Sequence, residues 1–201
     1  MPCTNPLNRR KILGVLTLAI LAISHNAHAR SINSRWIIKD PSTHSRDMFL
    51  DIGAVAGAGG VGAPAGKHFG PSAWISMPLI RDGFLPSIND SVDFEAGAHV
   101  EYWRWSDASC AKKWLRVTPM AGLRWNFYLT HRWTVFAKTK FGAAIGFADD
   151  LNCSGASSVS IPSNSEFATD IGGGMFWHWG RAALRLDLGN YGAGLGISFK
   201  L

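Results

Sequence analysis

Cysteine is scarce in this chain: three residues in 201, at positions 3, 110 and 153, with no pair at zinc-site spacing. There is no HExxH, no GxSxG and no Walker loop, so the common signatures of metalloproteases, hydrolases and nucleotide-phosphate binding are missing. No apolar run reaches about 18 residues, which excludes a membrane-spanning helix. The apolar run Ile12 to Ile23 follows Arg9, Arg10 and Lys11 and precedes Ala27-His28-Ala29. A basic start, a short apolar stretch and a small-x-small end form the pattern of a cleaved export signal. Residues 1–29 are read as that signal.

Three of the 20 basic residues and none of the 14 acids lie in that segment, so the formal charge falls from +6 to +3 once it is removed. The remaining basic residues alternate with apolar ones and do not gather on one face, so no nucleic-acid partner is expected. His25, His28 and Cys3 leave with the signal, and neither a metal nor a cofactor is expected.

Glycine and tryptophan are plentiful instead: 22 and nine residues, with every tryptophan beyond the signal. Glycine weakens helix interiors, whereas aromatics favour strands. The clearest strand is Val92 to Trp105. Val92, Phe94, Ala96, Ala98, Val100 and Tyr102 occupy one face; Asp93, Glu95, Gly97, His99, Glu101 and Trp103 occupy the other. The same period of two runs through Leu115–Leu129 and Trp133–Phe147. These strands are far longer than the usual 3 to 10 residues. Shorter alternations over Met48–Ala56, Ser72–Leu79, Phe167–Trp177, Ala182–Leu188 and Tyr191–Leu201 bring the count to eight.

With the N-terminus on the inner side, the outer connections fall at 57–71, 106–113, 148–166 and 189–190. The inner turns fall at 80–91, 130–132 and 178–181. Tryptophans then cluster at strand ends: Trp103, Trp105 and Trp114 at the outer level, Trp125, Trp133, Trp177 and Trp179 at the inner one. Aromatics with one polar edge suit the two headgroup levels of a membrane.

Signal, strand count and alternation together resemble the small bacterial outer-membrane β-barrels of the eight-stranded class, over residues 1–29 and 48–201. The resemblance implies an all-β, eight-stranded antiparallel transmembrane barrel of outer-membrane type. Residues 30–46 become a periplasmic lead-in, with Trp36, Ile37 and Ile38 against the rim, and 47–201 the barrel. Its implied partners are outer-membrane lipid and lipopolysaccharide, the barrel assembly machinery and an extracellular partner of unknown identity. Members of the class often end in phenylalanine; here Leu201 is last and Phe199 stands two places earlier. Pro119, in mid-strand, removes a ladder donor and predicts a bulge or local break.

The polar faces collect Asp51, Asp93, Glu95, His99, Glu101, Arg116, Arg124, Lys138, Lys140, Asp170, Arg185 and Asp187. An eight-stranded barrel is just wide enough for side chains to fill it, and charges enclosed there need partners. These twelve residues are expected to form an ion network inside a closed lumen, with a structural or surface-binding role for the whole. A narrow pore, a soluble periplasmic ligand-binding barrel and a lipid-modifying enzyme are the alternatives. The last resembles the chain in size but uses a His-x-Ser element. Here His178 precedes Trp179-Gly180 and His131 precedes Arg132-Trp133. No catalytic residue is assigned. Cys110 and Cys153 fall in two connections at the same outer end, and an exported chain allows them to bond. The bridge would close a loop of about 43 residues.

Overall fold

The computed structural model describes residues 36–40, 44, 47–60, 63–107, 110–148 and 166–201, with the backbone alone for 58–60, 63–66, 104–107, 110–114 and 148. Eight strands follow one another: β1 (Phe49–Gly60), β2 (Ala63–Ile80), β3 (Asp90–Asp107), β4 (Cys110–Tyr128), β5 (Trp133–Ala148), β6 (Glu166–Trp179), β7 (Ala182–Gly189) and β8 (Gly192–Lys200). Each pairs antiparallel with its sequence neighbour, and β8 pairs with β1, so the sheet closes. Closure pairs every strand on both sides over the height of the shortest strands, and the described residues contain no helix.

The period of two in the sequence becomes an inside and an outside. On β4, Arg116, Thr118, Met120, Arg124 and Asn126 are buried, while Leu115, Pro119 and Leu123 between them are exposed. On β1, Asp51 and Val55 point in, and Ile52, Ala54 and Ala56 point out. β7 and β8 repeat the rule: Leu186, Leu188, Leu195, Ile197 and Phe199 are all exposed on the outer face. The polarity of an ordinary soluble barrel is therefore reversed.

The wall is uneven in height. β3 and β4 have 18 and 19 residues, β7 and β8 only eight and nine. The expected loops at 57–71 and 106–113 are mostly strand. Ladder pairing continues through Ala58↔Lys67 to Gly60↔Ala63, and through Ser106↔Ala111 to Asp107↔Cys110. Glycine and alanine at 57–66 give no alternating side chains, so this stretch of hairpin carried no period to read. The expected strand at Ser72–Leu79 accordingly begins at Ala63, nine residues early. The turn expected at 80–91 contracts to 81–89.

Pro119 produces no bulge. It pairs with Ala98 in an unshifted register towards β3. Towards β5 the ladder lapses between Val117↔Ile145 and Met120↔Gly142 and resumes in the same register. The missing N–H thus faces one neighbour only, and the break stays local.

Short turns and the lead-in gather at one end of the barrel, called here the turn end. Ile37 donates its N–H to Leu129 (2.9 Å), and Asn89 donates its backbone N–H to the Ile38 carbonyl (2.7 Å). The Asn89 side chain reaches the Ile37 carbonyl (3.2 Å), and His44 stacks on Tyr128 at 4.1 Å between ring centroids. Ile37 is buried there, whereas Trp36 is exposed.

Gly83, in the 81–89 turn, sits at φ +62°, and a Cβ on it would overlap the Asp90 carboxylate. That carboxylate accepts the Phe84 N–H (3.1 Å) and the Trp125 indole N–H (2.7 Å). Gly83→Ala is expected to lower the unfolding free energy by about 1–2 kcal/mol from the left-handed backbone alone. The loss would be read as a lower urea midpoint at unchanged slope.

Candidate functional site

The interior is the only concentration of chemistry among the described residues, and it is built in tiers. Nearest the turn end, Ser91 and Tyr128 share a hydrogen bond of 2.8 Å, and the Asn126 amide donates to Ser91 (3.1 Å) and Asp93 (2.9 Å). Above this tier Arg124 donates to Glu95 and Asp93, both at 2.9 Å, and to Ser76 at 3.0 Å. Arg185 faces it from the opposite wall and donates to Asp51 (2.7 Å), Glu95 (2.9 Å) and Asp187 (2.6 Å). Lys140 approaches Glu95 at 2.6 Å, and Lys138 lies between Asp170 and Asp187.

One carboxylate, Glu95, thus meets three cations from three different strands. Taking such charges out of water costs several kcal/mol per ion. The tier offsets that cost with short, multiply donated ion pairs. Two aromatic rings add to it: Phe176 lies 4.8 Å from the Arg124 guanidinium, and Phe136 lies 5.2 Å from that of Arg185. Cation–π contacts of this kind strengthen where water is excluded.

Towards the other end, the loop end, the packing opens. Lys140 Nζ sits 3.5 Å above the Trp74 ring, and His99 lies between Trp74 and Tyr191. A chamber here is lined by Trp74, His99, Lys138, Asp170, Tyr191 and the glycine-rich backbones of β1 and β8. It gives about 30 Å³ to the centres of water molecules, room for roughly two. Both ring nitrogens of His99, one oxygen of Asp51 and one of Asp170 make no hydrogen bond among the described residues. A second cluster lies alongside. Arg116 donates to the Tyr191 hydroxyl (3.0 Å), Trp103 donates to Glu101 (3.2 Å), and His68 donates to the Tyr191 carbonyl (2.8 Å) while stacking on Trp103.

No family model, characterised protein or solved structure matches the chain. The site therefore rests on its own geometry.

Of the twelve residues singled out from sequence, eleven are buried and Asp187 is half-buried. Asp51, Asp93, Glu95, Arg124, Lys138, Lys140, Asp170, Arg185 and Asp187 form one connected set of ion pairs. Glu101 and Arg116 belong to the second cluster, and His99 to the chamber. Sequence reasoning missed Ser76, Trp74 and His68, all on β2, as well as Phe136, Phe176 and Tyr191. β2 carries no inward charge to advertise its face, and His68 lay in the stretch taken for a loop.

The tryptophan assignments need correction at the loop end. Trp103 belongs to no outer belt: it is 0 % exposed and points inward beside Glu101. Its place at a strand end suggested a belt, but the alternation that puts Glu101 inside puts Trp103 there too. Trp105 and Trp114 fall where only the backbone is described, as does Cys110, and Cys153 lies outside the described residues. At the turn end, Trp133, Trp177 and Trp179 stand on the outer face, about two-fifths exposed. Trp125 is outward too but half-covered, its ring edge-on to Phe84 at 5.8 Å.

A hydroxyl–imidazole contact exists between Thr134 and His178 (3.0 Å). Among the described residues no carboxylate orients that ring, so the pair lacks the third member of a nucleophilic triad.

Proposed function

We propose that the chain is an exported outer-membrane-type barrel, with residues 1–29 as signal, 30–46 as periplasmic lead-in and 47–201 crossing the bilayer. Its lumen is closed, and its role is structural or surface-binding, exercised at the loop end. The observation that carries this reading is the reversed polarity of the wall. Ile171 and Leu195 are 60 % and 57 % exposed on the outside, while Glu95 and Arg124 are buried within. Water would penalise that exterior, and a bilayer would welcome it. Strand length agrees. A tilted strand needs about 9 to 11 residues to cross, which β7 and β8 nearly match; β3 and β4 exceed it and would project beyond the membrane. On this reading the partners are membrane lipid and lipopolysaccharide, the barrel assembly machinery during insertion and an extracellular molecule at the rim.

Membrane fractionation with a heat-modifiability gel tests the proposal. The protein is expected in the outer-membrane fraction, resistant to carbonate, and to migrate differently before and after boiling. Release by salt or carbonate without detergent would reject it.

A further inference from the structure

We infer that the turn end carries a binding site for anionic phospholipid, formed by Arg132 and Arg181 in the two turns that adjoin the indoles of Trp133, Trp177 and Trp179. This rests on the membrane reading above and names the lipid that one sector of the rim selects.

The three indoles form a continuous array. Trp133 and Trp177 are cross-strand partners with near-parallel rings 6.1 Å apart, and Trp179 meets Trp177 edge-on at 5.6 Å. Each is about 40 % exposed, and none of the three indole N–H groups has a partner among the described residues. Indoles half in apolar surroundings with a free donor suit the ester level of a bilayer.

The two turns that adjoin these indoles each carry an arginine, Arg132 just before Trp133 and Arg181 two places after Trp179. The Thr130 hydroxyl accepts the N–H of Arg132 (3.2 Å) and of Trp133 (3.0 Å), and the Arg132 carbonyl accepts the His178 N–H (2.8 Å). Arg181 follows Gly180, at φ +64°, and its carbonyl accepts the Lys200 N–H (2.9 Å). Both backbones are therefore pinned to the barrel; Arg181 is exposed and Arg132 half-buried. Their situation differs from that of the inward cations. Arg124, Arg185, Lys138 and Lys140 are committed to the lumen, and Lys200 pairs with Asp47 at 2.9 Å. Neither Arg132 nor Arg181 has an ion-pair partner among the described residues. No acid occurs between residues 129 and 135 or between 175 and 184.

That last fact selects the headgroup. A phosphodiester suits guanidiniums, whereas the two turns offer the ammonium of a zwitterionic lipid no carboxylate, and Asp47, beside the end of β8, is already paired with Lys200. A basic residue near an anionic leaflet is worth about a fivefold local enrichment.

The full chain would be reconstituted in nanodiscs of phosphatidylcholine with a minor share of phosphatidylglycerol. Bromine quencher is carried on the phosphatidylglycerol in one sample and on an equal share of the phosphatidylcholine in the other. Stronger tryptophan quenching is expected from brominated phosphatidylglycerol. The excess should vanish in the Arg132→Gln/Arg181→Gln variant and persist in the Arg132→Lys/Arg181→Lys variant. Equal quenching in the two unmodified samples, or an excess that survives the glutamine variant, would overturn the site while leaving the membrane reading intact. Failure to enter either nanodisc would remove that reading itself.

Discussion

Glu95→Ala is expected to cost about 3–5 kcal/mol of unfolding free energy, the penalty for taking one partner out of a buried ion pair. Glu95 is fully enclosed, and its two oxygens hold Arg124, Arg185 and Lys140 together. Without it three cations face one another around a methyl group. Adding Arg124→Ala should restore part of the loss, because one unpaired charge leaves with its partner. The double change is expected to fall short of the sum of the singles by about 0.5–3 kcal/mol. Urea titration of the refolded barrel measures all three variants; strict additivity would mean that the central tier is not a coupled unit.

Leu186→Arg is the second large effect, and it probes the outside. Leu186 stands mid-strand on β7 between Met175 and Leu195, all three exposed. In a bilayer the arginine is expected to cost about 2–4 kcal/mol near the midplane. In water an exposed leucine can be replaced by arginine within about 0.5 kcal/mol. Unfolding free energies measured in phospholipid vesicles therefore separate the two environments, and a cost near zero there would speak against lipid contact.

Much of this architecture was legible because the alternation of polar and apolar residues is strict where side chains are large. From Val92 to Tyr102 every second residue is apolar, so the faces of β3 follow without knowledge of its partners. The charges that meet inside could be named for the same reason. Their pairing could not. Which lysine reaches Glu95 depends on the register of β3 against β4 and of β4 against β5, and no local feature of the sequence encodes that. The reading failed where side chains give no period. The glycines and alanines of 57–66 hid the start of β2, and with it His68. Trp103 failed differently: two rules, strand-end position and face, disagreed, and the face decides because the pleat fixes it.

The inner face of β8 reads Gly192, Gly194, Gly196 and Ser198. At Gly196 a Cβ would press on the Ile52 carbonyl at 2.8 Å, and at Gly53 opposite on that of Leu195 at 2.5 Å. The seam between the first and last strands is thus backbone against backbone, with Asp51 and Arg185 reaching across from either side. The final strand brings almost nothing inward that must find a place among the charges. It can be laid onto the edges of β1 and β7 after the interior has been arranged, much as a flat lid fits a filled box, so the last step of closure need not disturb the contents.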